Sequence, residues 1–402
     1  MSDLTSPTRT LPPGRPVLPA ALRFVLLVGV MSFFADFTYE GSRSIIGQYL
    51  GAFGASAFAI AAITGFGELV GYGLRLFSGR LADRTQRYWP VALFGYFLQM
   101  TVVPLLAVAG SLPVAAGLVI LERTGKATRN PPRDAMLSHA AKEIGYGWAF
   151  GVHEALDQFG ATFGPLAVTL VLTLRRGDYS LAFASLAIPA AVMLSLLLVA
   201  RASYPRPQDL SAGPPEVTTV GYPRVYWLYL GAAALVAAGF ADFPLIAYHL
   251  ERAHVAPVAF VPVFYSVAMA VGGTGSLLFG RLYDRWGIRV LVPLTILAAL
   301  YAPLVFLGGT WVAAVGAALW GLGMGVSESI IPAAVAPMVS PDRRASAYGL
   351  FTGVYGIAWF LGSLAIGGLY GVSLTAVVVF AMAAELLSLP IIWRVRRQMT
   401  VA

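Results

Sequence analysis

Asp36, Glu40 and Arg43 stand at i, i+4 and i+7 within an apolar run, so they share one helical face, and Tyr39 adds a hydroxyl beside them. Glu122, Lys126 and Arg129 repeat that spacing in the stretch Glu122-Arg123-Thr124-Gly125-Lys126-Ala127-Thr128-Arg129-Asn130-Pro131-Pro132-Arg133-Asp134. Glu154 and Asp157 form a third group, with His153–Asp157 and Glu154–Gln158 as i, i+4 pairs. Ionisable groups surrounded by hydrocarbon are costly unless paired or hydrated, which makes each a candidate for binding or moving charge. Two chemistries are open to them. A desolvated carboxyl can take up and release a proton near neutral pH, whereas one paired with a neighbouring base is structural. Glu40 beside Arg43, and Glu154 or Asp157 near Arg123 or Lys126, admit both. Glu68 with Arg75 spells an ion pair within or between helices, and Arg129 and Arg133 read as anchors at the membrane surface. His249, Glu328 and Glu385 read as solvated or capping residues at helix ends.

The elements that must position these groups follow from composition. The chain is 58% hydrophobic and 11% charged, against roughly 25% charge in average globular proteins. Apolar runs of about 20 residues recur, each sufficient to cross ~30 Å of hydrocarbon. None shows the alternation of a barrel strand. The expected fold is an all-α membrane protein of twelve transmembrane helices, near 21–50, 56–78, 90–109, 113–136, 146–173, 180–200, 224–250, 257–279, 288–307, 311–338, 345–370 and 372–393. At ~1.5 Å per residue Asp36 lies ~22 Å along the first span, and Glu154 and Asp157 lie ~12 and ~16 Å into the fifth. The chain has no cysteine and four histidines, which leaves no disulfide, no thiolate site and little for a metal centre. Neither His-Glu-x-x-His nor a Walker-type glycine loop occurs. The chain is therefore expected to be no enzyme, to need no cofactor and to use no ATP.

With the N-terminus inside, twenty of the 27 Lys and Arg residues fall in cytoplasmic segments or at the cytoplasmic ends of spans, and only Arg175, Arg176 and Arg252 fall outside. That bias places both termini in the cytoplasm of an integral, multi-pass cell-membrane protein. The net charge of +8 then reflects orientation and contact with anionic lipid, not nucleic acid. Residues 1–20 form a disordered tail, 21–200 and 224–393 two six-helix bundles, 201–223 the linker, and 394–402 a second tail.

The halves repeat. Gly79-Arg80-Leu81-Ala82-Asp83-Arg84-Thr85-Gln86-Arg87 returns about 200 residues later as Gly280-Arg281-Leu282-Tyr283-Asp284-Arg285-Trp286-Gly287-Ile288-Arg289. Phe34-Ala35-Asp36-Phe37 returns as Phe240-Ala241-Asp242-Phe243, and Gly151-Val152 and Phe159-Gly160 match Gly353-Val354 and Leu361-Gly362. Matches in one register indicate duplication, and twin pseudo-symmetric bundles around a central cavity are a transporter architecture.

Over residues 21–393 this pattern resembles the major facilitator superfamily, whose loop signature is Gly-x-x-x-Asp-Arg-x-Gly-Arg-Lys/Arg. Gly79, Asp83, Arg84 and Arg87 fit the first copy, with Gln86 in place of glycine; Gly280, Asp284, Arg285, Gly287 and Arg289 fit the second. The resemblance implies a latch on the cytoplasmic gate, with Asp83 near Ser346 at the start of span 11, Arg84 or Arg87 near Asp134, and Asp284 at the start of span 5. Gly151, Gly160, Gly164 and Pro165 also match the glycine spacing of the superfamily's antiporters, without its closing Gly-Gly; close helix packing would explain the same glycines. Leu121 stands where many antiporters carry a proton-relay arginine, for which Arg123 or Lys126 could substitute. The span-4 stretch is most similar to poorly characterised, antiporter-like prokaryotic members. The implied function is alternating-access transport of a small organic solute, coupled to protons, with export of a drug-like or amphipathic compound ahead of import. A non-transporting receptor or an intramembrane enzyme is the reading from a different class. Lipids, protons and the solute are the expected partners of a monomer. Asp36, Tyr39, Glu40, Arg43, Glu122, Arg123, Lys126, Glu154 and Asp157 are the residues expected to bind proton or solute.

Overall fold

The computed structural model describes residues 20–85, 87–144, 146–206, 222–335, 338–339 and 344–401. Among them every long element is an α-helix. The first half holds α1 (Ala20–Ala52), α2 (Ala57–Thr85), α3 (Tyr88–Leu105), α4 (Leu112–Ile144), α5 (Tyr146–Leu174), α6 (Tyr179–Ser185) and α7 (Ala187–Ser203). The second holds α8 (Arg224–Gly239), α9 (Phe243–Arg252), α10 (Val261–Trp286), α11 (Leu291–Ala299), α12 (Tyr301–Leu307), α13 (Thr310–Ala333), α14 (Arg344–Tyr370) and α15 (Leu374–Val401). Three pairs, α6 with α7, α8 with α9, and α11 with α12, are single passages interrupted once. Among the described residues, eleven helical segments are long and apolar enough to cross a membrane. α4 supplies a twelfth passage; its 33 residues carry too many charges to register as apolar, and it packs along α3 and α2.

Phe94, Phe97, Leu170, Trp311 and Val379 are exposed on the outside of the bundle. In water such a surface would drive aggregation; in lipid it is the ordinary solvent-facing surface, with backbone polar groups satisfied inside the helices. The protein is an integral, multi-pass membrane protein.

Two helix ends differ from expectation. Gly79 to Thr85, expected in a loop, continues α2, and Gly280 to Trp286 continues α10. A polar sequence at the end of an apolar run marks where the membrane stops and not where the helix does. α10 ends at Gly287, whose φ of +60° is open to glycine and strained for other residues. Span 4 is longer than the expected 113–136, because the helix runs through Pro131 and Pro132 to Ile144.

α1 packs on α5, α4 and α7, and α8 on α14 and α15; the two groups of helices meet where α2 faces α14, α5 faces α10 and α1 faces α9. Gly160 and Gly164 seat α5 on α1, since a Cβ at either would run into the backbone carbonyls of Phe33 or Phe37. Their repeat-mate Gly362 does the same against the carbonyl of Ala238 on α8. Both halves use the contact, so close packing is a role these two glycines share with Gly362. Gly160→Val and Gly362→Val are expected to do similar damage, each removing most of the monodisperse protein from detergent extracts on size-exclusion chromatography. Loss at Gly160 alone would sink the packing account.

Candidate functional site

At the end of the bundle opposite the basic segments, the two halves are shut. Residues 38–50 of α1 are buried without interruption. Gly47 lies directly on the backbone of Pro244, and a Cβ on Gly51 would stand 2.9 Å from the ring of Tyr248. Gln48 Nε2 donates to the Val258 carbonyl at 3.3 Å, and the Tyr179 hydroxyl donates to Glu251 at 3.4 Å. Below this seal lies a cavity of about 510 Å³ that extends toward the basic side, past Arg75, Arg133 and Asp134. The side chain of Asp134 is 47% exposed there.

The two halves line the cavity differently. The first contributes Asp36, Tyr39, Glu40, Arg43, Glu68, Arg75, Arg123, Lys126, Glu154 and Asp157; the second contributes Tyr265, Met269, Phe351, Tyr355 and Trp359, with no charged side chain. Most of the first-half charges form one connected chain. Arg129 donates to Asp36 at 3.0 Å and to the Gln99 side-chain carbonyl at 2.6 Å, and Gln99 donates to Glu122 at 2.7 Å. Glu122 lies 3.8 Å from Arg123, which reaches Glu68 at 3.1 Å; Glu68 also holds Arg43 at 3.2 Å. Arg43 then crosses to the other half, bonding Asp242 at 2.6 Å. Lys126 sits over the Tyr39 ring, 3.9 Å from Asp36 and 3.7 Å from Glu40. A second crossing runs from the Tyr265 hydroxyl to Glu40 at 2.5 Å.

Local sequence explains the placement of Asp242. Pro244 has no N–H and its ring would clash with the carbonyl four residues back, so the passage breaks between α8 and α9. Asp242 caps the restarted helix, accepting from the Phe243 N–H at 3.1 Å. Tyr301 and Trp320 satisfy the opened backbone: the Tyr301 hydroxyl accepts from Ala241 N–H at 2.7 Å and donates to the Gly239 carbonyl at 2.9 Å, and Trp320 Nε1 donates to the Ala241 carbonyl at 2.8 Å.

All nine residues expected to bind proton or solute lie in or against this cavity, with Glu122 buried behind its wall. Several neighbours do not behave as their sequence predicts. Glu68 pairs with Arg43 and Arg123 and not with Arg75, which lies instead over the Tyr72 ring at 5.2 Å. Arg129, expected as a surface anchor, is fully buried against Asp36 and Tyr96. Arg133, expected alike, is buried and bonds Asp134 at 2.8 Å. His249, expected near solvent, is buried with its Nδ1 3.0 Å from the Tyr370 hydroxyl. Glu385 is likewise fully buried, beside Gly239, and neither of its carboxyl oxygens has a partner among the described residues. Leu121 is exposed on the outer surface, so a relay arginine there would face away from the cavity.

The expected latch is described only in part. Arg84, Arg87, Arg285 and Arg289 are exposed, and Asp134 takes Arg133 as its partner in place of Arg84 or Arg87. Gly79, Gly151 and Gly280 lie within helices, while the side chains of Asp83, Asp284, Glu328 and Ser346, and all of Gln86, lie outside the described residues.

A helical membrane bundle closed at one end, with a charged cavity between two halves, defines the protein as a membrane transporter. The chain belongs to the Major Facilitator Superfamily, whose family model matches residues 25–363. It is 41% identical over 388 residues to an uncharacterised protein of Mycobacterium tuberculosis, covering 95% of each chain. It is 26% identical over 367 residues to an uncharacterised MFS-type transporter of Methanocaldococcus jannaschii, covering 87% of this chain and 89% of that one. Among solved structures it resembles a nucleoside transporter, with a TM-score of 0.72 at 14% identity over 94% of this chain and 99% of that one. It also resembles a POT family transporter in complex with a thioalcohol-conjugated peptide, with a TM-score of 0.73 at 13% identity over 94% and 97% of the two chains. At such identities these structures share the fold.

Proposed function

We propose that this protein is a proton-coupled secondary transporter that exports a small amphipathic organic solute by alternating access. The observation that carries the reading is the pair of polar crossings at the blind end of the cavity, Arg43 to Asp242 and Tyr265 to Glu40. Both join the halves where they must part for the opposite side to open. A proton on Glu40 or Asp242 changes the strength of those crossings, so proton binding biases the same equilibrium that solute binding biases. Asp157 stands beside Asp36 on the cavity wall with one carboxyl oxygen unpartnered, the arrangement of a group free to gain and lose a proton. By the positive-inside rule the basic side is cytoplasmic, which makes the described conformation inward-facing. The latch that the family resemblance implies for Asp83 and Asp284 then belongs to the outward-facing state.

The split lining supports an amphipathic solute, whose polar groups face the first half while its apolar body lies on Met269, Phe351, Tyr355 and Trp359. Export rests on the antiporter-like spacing of Gly151, Gly160, Gly164 and Pro165 in span 5. Proteoliposomes carrying a lumenal pH dye test the reading with a panel of amphipathic compounds. Exchange of an added compound for lumenal protons raises lumenal pH; a proton-coupled importer lowers it. Asp36→Asn and Asp157→Asn are expected to remove the pH response. Unchanged transport and proton movement in both variants would overturn the carrier assignment.

A further inference from the structure

Most charges around the cavity are already matched. Arg43, Arg123 and Arg129 each hold a carboxylate within 3.2 Å, and Arg133 holds Asp134 at 2.8 Å. Three cavity-lining charges are not: Asp157, whose polar neighbour is the Asp36 carboxyl, and two further groups of opposite sign. Arg75 makes no ion pair among the described residues, and its Nε is buried without an acceptor. Glu154 faces no cation within ion-pair distance among the described residues; its one polar contact there is a bond accepted from Gln158 Nε2 at 3.0 Å.

Their positions are complementary. Arg75 lies nearly one turn beyond Tyr72, whose side chain packs on Gly356 where α2 meets α14. Glu154 lies one turn before Gln158, whose side chain packs on Gly273 where α5 meets α10. Those contacts are the two opposite seams between the halves, so Arg75 and Glu154 flank one cavity from its two sides. Between them the second half supplies Tyr355, Met269 and Trp359, and Trp359 Nε1 is a buried donor with no acceptor among the described residues.

The geometry points to a dipolar solute: its cationic group sits against Glu154 at one seam, its anionic group against Arg75 at the other, and its apolar spacer lies on the aromatic wall between them. A single charge would leave one of the two receptors unmatched; separated opposite charges satisfy both. Seating across both seams also ties the solute to the surfaces that slide when the halves rock. The inference deepens the transporter reading and does not depend on proton coupling or direction.

The probes are ω-amino carboxylates of increasing chain length, compared with the alkylamine, alkanoate and alcohol of matching length. Binding to the purified full chain is read at fixed pH by intrinsic tryptophan fluorescence and by thermal shift, with no gradient present. One dipolar length is expected to bind about tenfold tighter than either single-charge analogue, equivalent to about 1.4 kcal/mol. Arg75→Gln should reduce that probe to the level of the alkylamine, and Glu154→Gln to the level of the alkanoate. Arg75→Lys, which keeps the charge, should retain most of the preference. The ligand-free thermal midpoint of each variant shows that it is folded. An equal response across the charge series, absence of response included, overturns the inference, as does a dipolar preference that survives both neutral variants. Failure here with an intact solute-driven pH response would discard the dipolar site and leave the coupled transporter standing.

Discussion

Arg43→Gln is expected to abolish solute-driven proton movement and to lower the thermal midpoint by several degrees. Arg43 holds Glu68 at 3.2 Å and Asp242 at 2.6 Å, and its side chain is only 6% exposed. Removing it leaves Glu68 with Arg123 at 3.1 Å, but strips Asp242 of its one ion pair among the described residues. Breaking one side of a buried pair costs about 3–5 kcal/mol, chiefly because the remaining charge is stranded. That loss is large against the whole stability of a folded chain. Asp242→Asn added to Arg43→Gln removes the stranded charge, so the double variant should recover a substantial part of the stability. It should recover none of the coupling, because the charged crossing between the halves is gone. Arg43→Lys should fall between, since one ammonium cannot reproduce a guanidinium that spans two carboxylates. Scanning fluorimetry of the single and double variants gives the coupling energy directly. Additive losses in the cycle would show that the Arg43–Asp242 contact does not hold the halves together.

The sequence makes the scaffold plain because lipid imposes a length and a polarity on every passage, and because duplication prints the same motifs twice. It also marks residues that line the cavity, since charge in an apolar run is conspicuous wherever it falls. What it hides is partnership. Arg43 has Glu40 on its own helical face, yet it bonds Asp242, 199 positions away on the other half. Glu68 and Arg75 share a helix and still part, because Arg123 and Arg43 converge on Glu68 from α4 and α1. Arg129 was hidden by its neighbours: a Pro-Pro pair suggests a helix end, and a helix ending there would leave an arginine at the surface. α4 runs on past Pro132, which puts Arg129 deep enough to meet Asp36. The repeat itself held an unused signal. Asp36 and Asp242 occupy matching places in Phe-Ala-Asp-Phe, but Thr38 follows the first copy and Pro244 the second. One proline turns a mid-helix aspartate into a helix cap, and so gives the second half its carboxylate in the network.

Gly47→Val should stop transport by a different route, holding the halves apart at the end that is now shut. A Cβ at position 47 would overlap the backbone carbonyl and Cα of Pro244. A side-chain clash can be relieved by a rotamer change; this one requires α1 and α9 to separate. In a state where that seam is open, a valine costs little, so the substitution penalises one conformation and spares the other, which is the condition for a population shift. The native chain has no cysteine, so a single introduced thiol reports without background. Met269 lines the cavity and is 7% exposed, a position reached only through whichever end is open. With Met269→Cys alone, a membrane-impermeant thiol reagent should label from the basic side. Adding Gly47→Val should move labelling to the opposite side by about tenfold or more, since even 1.4 kcal/mol of differential strain is a factor of about ten. The purified variant should remain monodisperse with a thermal midpoint near that of the parent, which separates a trapped transporter from a misfolded one. Labelling that stays on the basic side in folded Gly47→Val protein would show that the contact of α1 with α9 is not the gate at the end opposite the basic segments.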